Sequence, residues 1–131
     1  MTAMQQIREY EANANGSEEL HSYSPFRSVR ITDGCKLVAN VCSAFWLIDA
    51  ICSHQVNRKA ITKCNGFQHW KLTMNKSNSG CVLECFDGGQ NGNKSVCHIR
   101  QRIEFTDFPM PRGECLEFYF EDGVLMLKCE R

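Results

Sequence analysis

The chain has 131 residues, 43% apolar and 23% charged, which fits one folded domain and excludes a disordered or low-complexity segment. Fifteen Lys and Arg balance fifteen Asp and Glu. Zero formal charge argues against a general nucleic-acid coat, which needs surplus cations to displace counterions, while leaving room for local patches.

Residues 1–8 carry neither the apolar run nor the small-residue cleavage site of a secretory leader. The greasiest stretch, 41–52, is too short to span a bilayer and contains Asp49. The expectation is a soluble, cytoplasmic protein with no membrane partner. Nine cysteines (Cys35, Cys42, Cys52, Cys64, Cys81, Cys85, Cys97, Cys115 and Cys129) are an odd number, which in a reducing compartment argues against a disulfide framework. The nearest approach to a zinc knuckle is Cys81-Val82-Leu83-Glu84-Cys85. It falls in an alternating pattern, where positions i and i+4 share a face but lie about 13 Å apart. No metal or cofactor is expected, and the thiols read as small buried hydrophobes.

Residues 1–11 fit a short helix. Residues 12–25 are polar and poorly patterned and read as an extended or mobile lead-in, so that 1–30 forms a partly mobile N-terminal arm and 31–131 a single domain. Thr32 or Asp33 can cap a helix running from Asp33 to His54. Val38, Cys42, Phe45, Asp49 and Cys52 share one side of it, and Leu37, Val41, Leu47, Ile48 and Ile51 widen that side until the helix is apolar nearly all round, which predicts a central, buried position. Trp46 reads as a core or interface anchor. Asp49 reads as a structural carboxylate bonded to a backbone N–H or a basic group.

After a polar connection over 55–66, with room for a short second helix, the period changes from 3.6 to 2. In 67–74, Trp70, Leu72 and Met74 oppose His69, Lys71 and Thr73. A turn over 75–80 leads to a second strand at 81–86, and the loop 87–94 reads as a flexible hairpin connection. A third strand over 96–105 sets Ile99, Gln101, Ile103 and Phe105 against Arg100, Arg102 and Glu104, and Pro109 and Pro111 close it. In the fourth, Leu116, Phe118 and Phe120 alternate with Glu117, Tyr119 and Glu121. Asp122-Gly123 suits a primed turn into a fifth strand over 124–129. The predicted fold is α+β: one long buried helix packed on an antiparallel sheet of about five strands. The other sheet face carries Lys71, Arg100, Arg102, Glu117, Tyr119 and Glu121.

Five segments carry a resemblance: Thr32-Asp33-Gly34, Phe45-Trp46-Leu47-Ile48-Asp49-Ala50-Ile51, Phe67-Gln68-x-Trp70-x-Leu72, Phe105-Thr106-Asp107-Phe108-Pro109 and Asp122-Gly123-Val124-Leu125. Together, over roughly residues 31–130, the chain resembles a family of small phage-, plasmid- and mobile-element-borne proteins, catalogued as a domain of unknown function. Leu127-Lys128-Cys129-Glu130 departs from that family's Leu-Pro-x-Glu-like ending. The resemblance implies a genomic setting and no particular reaction.

Catalytic motifs are absent: there is no Gly-x-Ser-x-Gly, no phosphate-cradling loop opening a helix and no His-Glu-x-x-His. His54, Gln55 and Asp107 are candidates for convergence on one site, but His54 is explained more simply as a cap on a helix C-terminus. No catalytic residue is assigned, and the expectation is a protein that is not an enzyme. Charge is segregated. Arg58, Lys59, Lys63, Lys71, Lys76, Lys94, Arg100 and Arg102 face only Glu84 and Asp87 over 55–102. Glu104, Asp107, Glu114, Glu117, Glu121 and Asp122 face only Arg112 over 104–122. An aromatic anchor with a charged rim suits docking on a protein, so Glu117, Tyr119, Glu121, Asp122, Arg100 and Arg102 are the candidate partner-binding residues. The leading expectation is a non-enzymatic binding protein that inhibits a host defence complex, protein or ribonucleoprotein, in the manner of an anti-CRISPR protein. The alternative is a nucleic-acid-binding accessory protein using Lys71, Lys76, Arg100 and Arg102. A metal- or cysteine-dependent enzyme is third, and a homodimer is compatible with each.

Overall fold

A computed structural model describes residues 1–14, 16, 19–24, 26–89 and 92–131. Helix α1 (Ala3–Asn13) opens on a capping box: the Thr2 hydroxyl accepts from Gln5 N at 3.1 Å and Gln5 Oε1 accepts from Thr2 N at 2.7 Å. Met4 and Ile7 on α1 are buried. Strands β1 (Leu20–Tyr23) and β2 (Phe26–Thr32) then form an antiparallel hairpin. The lead-in expected over 12–25 therefore contains a strand; its residues Asn15, Ser17, Glu18 and Pro25 lie outside the described set. β1 escapes sequence reading because it buries only Tyr23 of its four residues, too few to leave an alternation.

The single long helix expected over 33–54 is two helices, α2 (Asp33–Val41) and α3 (Phe45–Ser53). Thr32 caps α2 by accepting from Cys35 N at 3.4 Å. The break sits at Ser43, whose φ of +50° is left-handed. Cys42 N donates to Val38 O at 3.1 Å and Ala44 N to Ala39 O at 3.0 Å, which closes α2 in the manner of a Schellman turn. Two consecutive helices with differently oriented buried faces leave the same trace as one helix that is apolar all round. Cys35, Val38 and Ala39 are buried on α2; Leu47, Ile48, Ile51 and Cys52 are buried on α3. A 3-10 turn (His54–Val56) and the short α4 (Arg58–Thr62) fill the connection as expected, α4 being capped by Asn57.

The remaining strands are β3 (Phe67–Met74), β4 (Cys81–Phe86), β5 (Cys97–Ile103), β6 (Cys115–Glu121) and β7 (Val124–Leu127). The sheet has seven strands, where about five were expected, in the order β1-β2-β7-β6-β3-β4-β5. It is not wholly antiparallel, because β2 runs parallel to β7. Asp122 and Gly123 both have positive φ, the primed hairpin turn that their sequence predicts. Phe105, expected on the apolar side of its strand, is 73% exposed: the strand stops at Ile103 and Thr106 N donates to Ser79 O at 2.9 Å.

The helices cover one face of the sheet. Ile7, Val38, Leu47 and Ile51 pack with Trp70, Leu72, Leu83, Leu116, Phe118 and Leu125 in one core, all without meaningful exposure. Six of the nine cysteines are buried there or close by. Among the described residues, no helix is long and apolar enough to cross a membrane.

One buried carboxylate joins the two layers. Glu130 Oε1 accepts from the Thr32 hydroxyl (2.6 Å) and Leu127 N (2.9 Å); Oε2 accepts from the Tyr10 hydroxyl (2.8 Å) and Gly34 N (3.1 Å). Removing it strands buried donors from α1, β2, α2 and β7 at once. Glu130→Ala should destabilise the fold by about 2–4 kcal/mol, read as a lower midpoint in urea with an unchanged slope.

Candidate functional site: the uncovered face of the sheet

Strand alternation places every second residue of the sheet away from the helices, and the register aligns these residues in rows. One row reads Met126, Tyr119, His69, Phe86 and Cys97 across β7, β6, β3, β4 and β5. The next reads Glu117, Lys71, Glu84 and Arg100, and beyond it lie Cys115, Thr73, Val82 and Arg102. On the other side of the first row come Arg30, Val124, Glu121 and Phe67. None of these residues is buried, whereas their neighbours on β3 and β6 all are.

The rings form a connected strip. Phe67 and Tyr119 have centroids 4.9 Å apart, Tyr119 meets His69 edge-on at 5.3 Å, and His69 meets Phe86 at 6.0 Å. The Arg131 guanidinium lies 4.6 Å from the Phe67 centroid and 5.5 Å from that of Tyr119. His69 Nε2 is buried without a hydrogen bond, 3.4 Å from Glu117 Oε1. Burial pushes the imidazole below its ordinary pKa, and Glu117 offsets only part of this, so at neutral pH His69 belongs to the strip as an uncharged ring.

The carboxylates of the face are already paired. Lys128 Nζ lies 3.2 Å from Glu117 Oε2, and Arg131 Nε lies 3.4 Å from Glu121 Oε1. Burial would raise the Glu117 pKa, but the Lys128 ammonium together with His69 and Lys71 outweighs it and holds the carboxyl below its usual range. Glu84 meets Arg100 at a loose 3.9 Å. By contrast Arg30, Lys71 and Arg102 make no ion pair among the described residues.

Of the candidate partner-binding residues, Glu117, Tyr119, Glu121, Arg100 and Arg102 thus share one face, and Asp122 stands exposed in the turn at its margin. Lys71 is central, while Lys76 lies in the turn between β3 and β4. Sequence reasoning missed the strip of Phe67 and Phe86 and the roles of Lys128 and Arg131. Parity along β3 places Phe67 with His69 and Lys71, but only the register shows that Tyr119 and Phe86 flank them.

Other candidates resolve differently. His54 is the C-cap residue of α3, as expected, with its backbone N–H donating to Ala50 O; its side chain turns to the sheet, where Nε2 pairs with Gln101 Oε1 at 2.7 Å and the ring lies 5.5 Å from that of Trp70. Gln55 satisfies Ile51 O at 3.1 Å and exchanges two 2.8 Å bonds with Gln68, whose Oε1 also accepts from Trp70 Nε1. Asp107 is exposed, and none of these bonds reaches it. Asp49 accepts from the Tyr23 hydroxyl instead of from a backbone N–H or a basic group. Burial raises the pKa of the thiols of Cys35, Cys52 and Cys85, which keeps them protonated and poorly nucleophilic. Glu19, His21 and Asp33 bring donor atoms within 4.8 Å of one another, a set whose chemistry suits a divalent cation. His21 Nε2 and Asp33 Oδ1, 2.8 Å apart, also clamp β1 to the start of α2.

The profile of one family of unknown function, DUF6876, matches residues 5–131. The chain belongs to the DUF6876 family. No curated protein and no solved structure matches it. The DUF6876 match takes in α1 and the β1–β2 hairpin from residue 5 onward, well before residue 31 where the sequence resemblance begins.

The connection between β4 and β5 borders the ring strip, with Gly88 pressed so close to the Phe67 ring that a Cβ there would stand 2.7 Å from it. Its residues Gln90 and Asn91 lie outside the described set, so the expected flexible loop is seen only at its two ends. Asp87 anchors those ends: it accepts from His98 Nε2 (2.9 Å), Gly89 N (2.9 Å) and Val96 N (3.0 Å), and His98 foremost holds its pKa at about 2, below the ordinary 3.8. A carboxylate whose pKa falls on folding adds stability above its unfolded value and loses it as the pH drops toward the folded one. Asp87→Ser should therefore lower the urea midpoint at neutral pH, and the difference from the unsubstituted protein should vanish between pH 3.8 and about 2.

Proposed function

We propose that the protein is a non-enzymatic binding module that holds a single-stranded nucleic acid on the uncovered face of its sheet. The observation that carries this reading is the pairing of a ring strip with unpaired cations on a face whose carboxylates are already neutralised. Single strands are held by base stacking on aromatic side chains inside a positively charged surface. Phe67, Tyr119, His69 and Phe86 supply the rings; Arg30 and Arg102 supply positive charge outside any ion pair on the rows around them, and Lys71 adds a cation between Glu117 and Glu84. A basic protein surface would instead need free carboxylates, and Lys128 and Arg131 occupy those of Glu117 and Glu121.

Protein contact with a host defence complex is the second reading. What favours it is exposed Asp122 at the margin of the face, together with the resemblance to mobile-element proteins.

Fluorescence anisotropy with labelled oligo-U and oligo-dT at low salt tests the first reading. Binding should weaken as salt rises, and Tyr119→Ala should cost about 1–3 kcal/mol for the base that it loses. No anisotropy change with either strand at low salt overturns the reading. Co-elution with a defence complex that survives high salt and nuclease would then support the second.

A further inference from the structure

A groove of about 620 Å³ opens at the β5 margin of the same face, between β5 and the turn that joins β3 to β4. Arg100 and Arg102 line one side, Asn75 and Asn78 the other, with Val82 in the floor and Glu104 at one end. The two arginines are alternate residues of β5, so they project from one face about 7 Å apart. Their side chains are solvent-facing: Arg100 is 58% exposed and is held only by the long contact to Glu84, and Arg102 has no ion pair. Asn78 Oδ1 accepts from Asn75 Nδ2 at 2.8 Å and from Gly80 N at 2.9 Å. That fixes the Asn78 carboxamide with its oxygen spent, and its N–H donors have no acceptor among the described residues. The walls therefore offer donors and positive charge, opposed by Glu104 at one end and by Glu84, 3.9 Å from Arg100, behind it.

We infer that this groove is the phosphodiester subsite for the strand whose bases stack on the ring strip, an assignment that rests on the nucleic-acid reading above. The placement suits one continuous ligand. Phe86 ends the aromatic part of its row on β4, and Arg100 lies one strand and one row away, about 8 Å by strand geometry. Paired guanidinium groups in a fixed fork suit phosphate oxygens, and the side-chain amide adds a neutral donor that carries no preference among bases. A free phosphate ion has the same oxygens but no stacking partner, so the two sources separate in experiment.

The test is the salt dependence of oligo-U and oligo-dT binding by the full chain carrying Arg100→Gln, Arg102→Gln, Tyr119→Ala, or Lys36→Gln on the exposed side of α2. Both arginine substitutions are at exposed positions, and thermal melts should be unchanged. Each should reduce the slope of log K against log salt by about 0.7, the single-strand value for one lost phosphate contact. Tyr119→Ala should lower affinity with the slope unchanged, and Lys36→Gln should alter neither. Inorganic phosphate at matched ionic strength should compete weakly, and equally for the unsubstituted, Tyr119→Ala and Lys36→Gln proteins. If the protein binds both strands yet the arginine variants keep the full slope, the subsite is wrong and the nucleic-acid reading stands. If the unsubstituted protein binds neither strand at low salt, both fall. Competition by inorganic phosphate as strong as by oligonucleotide would reassign the groove to a free anion and overturn the phosphodiester assignment.

Discussion

Glu130 is the constraint on which the rest of the arrangement depends. Its two oxygens take donors from Tyr10, Thr32, Gly34 and Leu127, which belong to four different elements. The chain at Gly34 passes so close that an added Cβ would collide with Glu130 Oε1 and stand 2.8 Å from Leu127 Cδ1. Gly34 is thus required by approach distance, not by a special backbone angle. The carboxylate fixes the end of β7 against the end of β2 and the beginning of α2, where the one parallel pairing of the sheet occurs. α1 and α2 are tied in at the same point, which holds both against the same side of the sheet.

That one-sided layer has a cost, since a sheet face left without helices must be stable in water on its own. Here the face manages this by cross-strand chemistry. Glu117, Lys71, Glu84 and Arg100 alternate in sign along one row, and opposite charges on facing strands attract. The rings of the strip shield one another, and Arg131 lies over Phe67 and Tyr119, so each ring is half-buried without a helix above it. The free edges are guarded as well: β1 has only four residues, and β5 carries Arg100 and Arg102, so neither invites a further strand.

Legibility in the sequence followed the strength of the local signal. The strands β3, β4, β6 and β7 and the Asp122-Gly123 turn were readable because alternation there is unbroken, with Trp70, Leu72 and Met74 on one side and His69, Lys71 and Thr73 on the other. The break at Ser43 was not, since serine in the left-handed region has no compositional mark and the apolar pattern continues across it. The β1–β2 hairpin was obscured because its stability comes from pairing with β7 and from Tyr23 reaching Asp49, both distant in sequence. At the candidate site, parity alone indicated that Lys71, Arg100, Arg102, Glu117, Tyr119 and Glu121 face away from the core. Charge counted along the chain misled about what they present: the acidic run of β6 is neutralised by Lys128 and Arg131, which sequence order places at the far end of the next hairpin arm.

A chain of zero formal charge can still present a positive surface to an anionic strand, because screening makes charge a local property. At physiological ionic strength the Debye length is about 8 Å. Glu9 and Glu11 on α1, Asp33 on α2 and Asp49 on α3 belong to the helical layer, and a helix with its side chains is about 10 Å thick. Solvent-exposed carboxylates beyond that layer are therefore largely screened from the opposite face. What a ligand meets there is the local set: Arg30, Lys71, Arg100, Arg102, Lys128 and Arg131 against Glu84, Glu117 and Glu121, with Asp122 and Glu104 at the margins. Overall neutrality limits long-range steering and so the rate of encounter, not the contact energy once a strand lies on the rings. On the proposed reading, the electrostatic part of binding comes from the few unpaired cations of one face, and stacking on the rings adds to it.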